Sequence, residues 1–378
     1  MHAAKVHEGV ASIAESWAAD RAARQQRRAL EPADFAALRD AGFTLTGVPT
    51  DLGGIWRDLR SSTREVAEIL RTLAHADPSV ALVSSMHPAV LSFWLATPAV
   101  PDGDASAWRA QRDFFFEQAR TDWFGTITSE PGSGGDVGKT KAAVRRDGDT
   151  WRLTGQKHFG SGSGVTSFMV TSGLPEGESE PDWFMFDVRG VPWDGSKGMK
   201  LLAEWDGHGM AATQSHGFMF EDFPATRIAW PGHWRAISDA AMPFIGTLFT
   251  SVVLGIVQTA VETARAQLAK NAAAMRPYEQ LEWTRAEQEA WLAEQAFEGM
   301  LRAVETKEVP NRDVLIGKET IAGLAESCLL RICRVIGGGT FSRHSPFGHW
   351  FEDVRALGFL RPPWGLAYDS LFASGFPA

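Results

Sequence analysis

The sequence predicts an α+β protein whose chain runs helical, then β, then helical again, and three observations predict that order. Over residues 6–121 apolar side chains recur at the spacing of amphipathic helices. From Asp122 to about Pro231, short alternating segments are divided by Gly, Pro and Asp turns, as in an antiparallel β unit. Beyond Pro231 the helical period returns. The expected divisions are an N-terminal all-helical domain over 1–121, a middle antiparallel β domain over 122–231 and a C-terminal helical domain over 232–378.

Taken in order, Val6–Arg28 reads as a helix with Val10, Ile13, Ala14 and Trp17 on its apolar side. Glu31-Pro32-Ala33-Asp34 opens a short helix that Gly42 stops, and Thr44–Gly54 is a loop. Ser61–Leu73 is helical with Val66, Ile69 and Leu70 inward. Asp77-Pro78-Ser79 caps a helix over Val80–Leu95 that carries His87 among apolar neighbours. Pro98–Gly103 is a loop, followed by a helix over Ala107–Thr121. Seven strands are expected: Phe124–Thr128, Lys141–Arg146, Thr150–Thr154, Met169–Ser172, Trp183–Asp187, Lys200–Leu202 and Ser215–Phe220. Arg146-Asp147-Gly148-Asp149 has the residue types of a hairpin turn. Three long helices follow, over Ala240–Lys270, Trp283–Glu305 and Asp313–Gly337. Gly246 and Gly255 in the first permit close approach of another helix. Short helices over Phe351–Ala356 and Trp364–Phe372 complete the chain.

Composition narrows the function classes. The net charge of −9, with no Lys/Arg run interleaved with aromatics, argues against a nucleic-acid groove. The basic stretch around Arg21–Arg28 reads as a solvated helix face. Fifteen Trp and 23 Phe against 2 Tyr supply flat apolar surfaces for a core or a pocket. Cys328 and Cys333 fall on different faces of one helix, which suits buried free thiols and no metal. MHAAKVHEGV has no apolar signal core, and Phe244–Val257 is too short and too rich in Thr, Ser and Gly to span a bilayer. The expectation is a cytoplasmic protein with no membrane partner.

Two loops carry the chemistry. Thr126–Asp136 reads TITSEPGSGGD, and Phe159–Gly164 reads FGSGSG. Such loops expose backbone N–H groups and hydroxyls without bulky side chains, which suits a phosphate-bearing planar ligand.

In the order of its motifs the chain resembles the acyl-CoA dehydrogenase superfamily of flavoproteins, over essentially its whole length. The family's T-E-P-x-x-G-S-D appears as Ser129-Glu130-Pro131-Gly132-Ser133-Gly134-Gly135-Asp136, so the family Ser is Gly135 here. Its G-D-x-x-x-L-x-G-x-K appears as Gly148-Asp149 through Lys157, and G-M-x-x-T-x-S as Gly209-Met210 through Ser215. Its GG, aromatic, P and D appear as Gly337-Gly338, Phe341, Pro346 and Asp353. The resemblance implies a C-terminal four-helix bundle and FAD between the β domain and that bundle, in a homodimer or homotetramer. It places Thr126, Thr128 and Ser129 at the flavin ring or ribityl chain and Gly134 and Gly135 at the pyrophosphate. Phe159 takes the place of a stacking Trp, and Ser161 that of a Thr near the ring. Arg276, Gly337 and Gly338 are implied to reach the partner subunit's cofactor.

The family's catalytic Glu is absent from both of its known positions, which fall at Arg361 and near Ile245. Proton abstraction needs a base, so three readings stand. One is an acyl-CoA dehydrogenase-like enzyme with a relocated base such as Asp369, passing electrons to an electron-transfer flavoprotein. Another is a flavin monooxygenase of the same fold that uses O2 and reduced FMN or FADH2 from a flavin reductase, with His87 or His344 beside the flavin. The third is an inactive flavin-binding homologue. Arg361 reads as either a partner for an acidic substrate or a CoA phosphate, or a surface salt-bridge residue.

Overall fold

The computed structural model describes residues 3–97 and 100–376. Six helices come first: α1 (Ala3–Ala18), α2 (Arg21–Gln25), α3 (Pro32–Asp40), α4 (Leu59–Ala74), α5 (Pro78–Leu95) and α6 (Asp102–Gln118). The expected first helix is broken at Asp20, and Arg24 leaves the solvated face assigned to it. Arg24 is buried and pairs with Asp34 at 2.6 Å and Asp77 at 2.9 Å. A basic run reads as surface from composition alone, but two carboxylates from α3 and the α5 cap make its burial tolerable. Asp77 also caps α5, accepting the Val80 N–H at 2.9 Å. Gly42, with φ 88°, ends α3. Pro98 and Ala99 of the expected loop lie outside the described residues, and α6 starts at Asp102.

The strands are β1 (Phe124–Thr126), β2 (Ala143–Asp147), β3 (Thr150–Gly160), β4 (Phe168–Pro175), β5 (Asp182–Asp187), β6 (Met199–Ala203) and β7 (His216–Arg227). The sheet is mixed, where an antiparallel one was expected. β4 runs parallel to β1 and to β2, and the other pairings are antiparallel. Alternation records which side of a strand is buried and is blind to the direction of its neighbour. The pairings β4–β2–β3–β7–β5–β4 close a ring, with β1 and β6 attached at β4 and β7. Its interior is filled largely by phenylalanine: Phe184, Phe186, Phe218, Phe220 and Phe223 pack with Val144, Leu153 and Met169.

The remaining helices are α7 (Trp234–Leu268), α8 (Pro277–Thr306), α9 (Asn311–Ile336), α10 (Pro346–Val354), α11 (Ala356–Phe359) and α12 (Trp364–Gly375). At 35 residues α7 is long and apolar enough to cross a membrane, longer than its most apolar window suggests. Its flanks are buried within the protein, as are those of α5. Gly255 lets α7 approach α4, since a Cβ there would lie 2.6 Å from the Arg71 carbonyl oxygen and 2.9 Å from Ala74 Cβ. Gly246 meets Val314 Cγ1 at 3.1 Å in the same way. The first and last helices share one apolar cluster, from Val6 and Val10 through Leu70 to Val257 and Leu357.

Candidate functional site

The functional residues converge where β1 and β3 end against α5, α7 and the segment after α10. The β1 strand delivers Thr126, and the loop beyond it is held by Glu130. That carboxylate accepts from Thr140 Oγ1, from the Lys141 N–H at 2.5 Å, from the Ala142 N–H at 3.2 Å and from Lys157 Nζ at 2.5 Å. Burial works to raise its pKa, but Lys157 and the other donors override this and hold the carboxyl below its usual range. Glu130 therefore stays ionised and fully engaged. Past it, Gly134 and Gly135 adopt φ 62° and 81°, a region open to glycine, and Pro363 would lie 2.9 Å from a Cβ on Gly135.

The second loop starts as the end of β3, where the register with β7 slips between Lys157 and Gly160. A bulge re-aims a side chain, and here it turns Phe159 outward at φ 59°, leaving it 56% exposed and 6.0 Å edge-on from Trp205. A bulky residue in that backbone region is strained and is held only by its surroundings. Behind it runs a line of hydroxyls. Ser161 Oγ lies 2.8 Å from Ser215 Oγ, Ser215 Oγ lies 2.7 Å from Thr213 Oγ1, and Thr213 donates to the Met210 carbonyl at 2.8 Å. A carbonyl only accepts, so the donors run from Ser161 toward Met210 and Ser161 is left as an acceptor.

These elements enclose two adjoining cavities. The wider, about 630 Å³, brings together Thr126, Thr128, Ser129, Gly134, Gly135, Phe159 and Ser161. The narrower, about 250 Å³, runs between α5 and α7 and is lined mainly by apolar side chains such as Phe93, Trp183, Trp234 and Met242. Met86, Thr126, Thr128, Gly135, Phe249 and Arg361 border both. Arg361 thus lies at the junction, and the surface salt bridge weighed for it does not form: no ion pair or hydrogen bond engages it among the described residues. Burial lowers its pKa to about 10, with Asp136 opposing. Ile245, the second place where an acid was sought, lines the narrow cavity as well.

Other expected residues lie elsewhere. Arg276 caps α8, its N–H donating to Glu279 at 2.8 Å, away from both cavities. Gly337 and Gly338 border a third cavity of about 770 Å³, which shares His208 and Glu352 with the wider one. His87 is fully buried, between the Thr44 carbonyl at 2.8 Å and the Phe124 N–H at 3.3 Å, and burial pushes it down to about 4. It is a neutral packing residue. His344 and Asp369 are exposed and border none of these cavities. The histidine on the wider cavity is His208, from the loop after β6, and its signal was its place between two glycines beside Met210. Leu82, Met86 and Phe249 complete the wall from α5 and α7.

No family model matches the chain. Among curated proteins, dibenzothiophene monooxygenase of Mycolicibacterium goodii is 28% identical over 239 residues, 60% of this chain and 54% of that protein. The chain thus matches about half the length of that relative. Among solved structures, glutaryl-coenzyme A dehydrogenase with glutaryl-CoA aligns at a TM-score of 0.83 and 14% identity, over 99% of this chain and 94% of that one. This chain has the acyl-CoA dehydrogenase fold. Two further structures share the acyl-CoA dehydrogenase fold with it over nearly the whole chain. KijD3, solved with FMN and a dTDP-linked amino-keto sugar, gives a TM-score of 0.82 at 20% identity, covering 99% of this chain and 93% of its own. FMN-bound TdsC from Paenibacillus sp. A11-2 gives 0.79 at 17% identity, covering 98% and 97%.

Proposed function

We propose that the chain is a flavin-dependent monooxygenase that takes reduced flavin and O2 and oxygenates a small, mainly apolar molecule. The observation that carries this reading is the lack of a usable base at the narrow cavity. Both places where a dehydrogenase of this fold would carry its acid, Arg361 and Ile245, border that cavity. The carboxylates nearby are already engaged: Glu130 by its donors, Asp136 by the Gly138 N–H at 2.9 Å, and Glu352 by Arg355 at 2.6 Å. Among the described residues, none of these carboxylates stands without a partner as a base for an α-proton. The name of the curated relative and the FMN in two of the similar structures point the same way.

The residues of the wider cavity fit a flavin. Gly134 offers a backbone N–H, and Gly135, whose own N–H donates to Ser133 Oγ at 3.2 Å, adds no side chain that would crowd a phosphate. Phe159 and Trp205 offer apolar faces that exclude water, and the Thr128 and Ser129 hydroxyls carry no other hydrogen bond. Ser161, held as an acceptor, suits a ring N–H of a reduced flavin. A reduced flavin bound there supplies the electrons that activate O2, so that one oxygen atom enters the substrate and the other leaves as water. FMN, FADH2 and FAD share the ring that these residues serve. A flavin reductase is the partner this chemistry needs. A homodimer or homotetramer belongs to the same reading, supported by Phe341, which is 95% exposed beside Gly337 and Gly338.

The test supplies purified protein with FMN, NADH, a flavin reductase and ¹⁸O2, and offers dibenzothiophene and indole. Product carrying one ¹⁸O, formed only with reductase present, is the expected result. Bleaching of the oxidised flavin by an acyl-CoA without oxygen would instead return the protein to α,β-dehydrogenation.

A further inference from the structure

We infer that the narrow cavity takes a flat aromatic molecule of one or two rings bearing a single anionic oxygen group, a carboxylate or phenolate, that pairs with Arg361. This rests on the reading of that cavity as the substrate compartment of a flavin site. Size comes first. A cavity of about 150 Å³ holds benzene, so about 250 Å³ accommodates one or two fused rings. Shape follows from the walls. Phe93 and Trp183 lie 5.1 Å apart between centroids, and Trp183 is fixed because its indole N–H donates to Ser238 Oγ at 3.0 Å and to the Trp234 carbonyl at 3.2 Å. Ser238 in turn donates to the Trp234 carbonyl at 2.6 Å. These polar atoms are satisfied within the wall and present nothing to a ligand but apolar faces.

Arg361 is different. The charged groups around it are Asp136, Lys157 and Glu130, with Glu352 and Arg355 paired to each other at 2.6 Å on the wider cavity and Lys318 paired to Glu319 at 2.7 Å beside Pro362. Glu130 and Lys157 neutralise each other at 2.5 Å. Asp136 accepts from the Gly138 N–H at 2.9 Å and has Lys139 at 3.6 Å, so it reaches Arg361 only through space. The guanidinium is therefore a half-buried cation without a contact partner among the described residues, an arrangement that an anion of matching geometry relieves. The backbone next to it is also fixed in advance. Buried Lys318 donates to the Pro362 carbonyl at 2.7 Å, and Pro363 packs over Gly135. A backbone anchored before binding leaves only the arginine side chain to be ordered by the ligand.

The experiment is calorimetric titration of the full-length protein, with and without FMN, using 2-naphthoate and its neutral isostere 2-naphthamide. We expect naphthoate to bind about tenfold or more tightly than the amide. In Arg361→Gln that preference should vanish, while Arg361→Lys, which keeps the charge without the planar fork, should retain part of it. Met242→Trp, which fills the compartment from α7, should abolish both signals and so locates the site. Equal affinity for acid and amide in the wild type overturns the inference. So does a loss of FMN affinity in Arg361→Gln with the naphthoate preference intact, which would make the arginine a cofactor-phosphate ligand. FMN titrated alone separates the two claims: failure of FMN to bind sinks the flavin reading and leaves the naphthoate preference to be judged by itself.

Discussion

Asp353 is buried beneath the loop of Met210, whose N–H it accepts at 2.6 Å. Burial pushes its carboxyl up to about 7 against the pull of that hydrogen bond, with Asp77 and Glu352 adding to the rise. The folded value thus lies above the ordinary 3.8, so the protonated acid favours the folded state. This contribution is complete below pH of about 4 and is lost as pH climbs through about 7. Denaturant unfolding followed across that range should show stability falling with rising pH, and Asp353→Asn should flatten the slope. Glu130→Gln is expected to act differently. It leaves Lys157 buried without its counter-charge, and a broken buried pair costs about 3–5 kcal/mol. Chemical unfolding measures the loss, which should carry away flavin binding too because the loop of Gly134 is anchored through that carboxylate.

At the scale of elements, close approach decides where substitutions hurt. Gly255→Val would drive two methyl groups into the α4 backbone at Arg71, and overpacking of this kind costs roughly 1–3 kcal/mol. The midpoint of denaturant unfolding should fall while the denaturant slope stays the same. Gly255 was visible in the sequence as a small residue on an apolar helix, and its role followed from that. Phe159 was visible as a loop residue in the place of the family's stacking Trp, but its outward turn was not. The β3 bulge that exposes its ring depends on how β3 registers against β7, a non-local pairing that local residue types do not encode. His87 shows the same limit from the other side. A histidine in an apolar run fits both a packing and a catalytic role, and only the Thr44 carbonyl, far away in the chain, decides between them. The walls from α5 and α7 were illegible for a related reason, since Met86 and Phe249 carry the apolar pattern that core residues carry. Motif order picked out two loops that line one cavity, because glycine and hydroxyl loops keep local requirements. It did not reveal the compartment beside it, which exists only once two helices are packed.

Across the whole molecule, the wider cavity joins the strand ring to α5, α7 and the segment after α10, so one ligand touches all of them. A ligand bound only by the folded chain stabilises it by about 2.7 kcal/mol at a hundredfold excess over its dissociation constant. FMN should raise the thermal midpoint in step with its concentration, and scanning calorimetry with and without FMN checks this; an unchanged midpoint at saturating FMN would count against the cradle. The apolar cluster that runs from Val6 to Leu357 has a consequence for biosynthesis. Helices α4 and α5 leave the ribosome well before α7, the element that covers them, and the entire strand ring is made in between. During that interval the sides that α7 will cover have solvent or a chaperone to meet, while the far side of α5 already has α6, β1 and β5 to pack on. The sides of α4 and α5 that face α7 are thus translated early and buried late, and slow elongation after β7 is the condition under which nascent chains would be captured or lost.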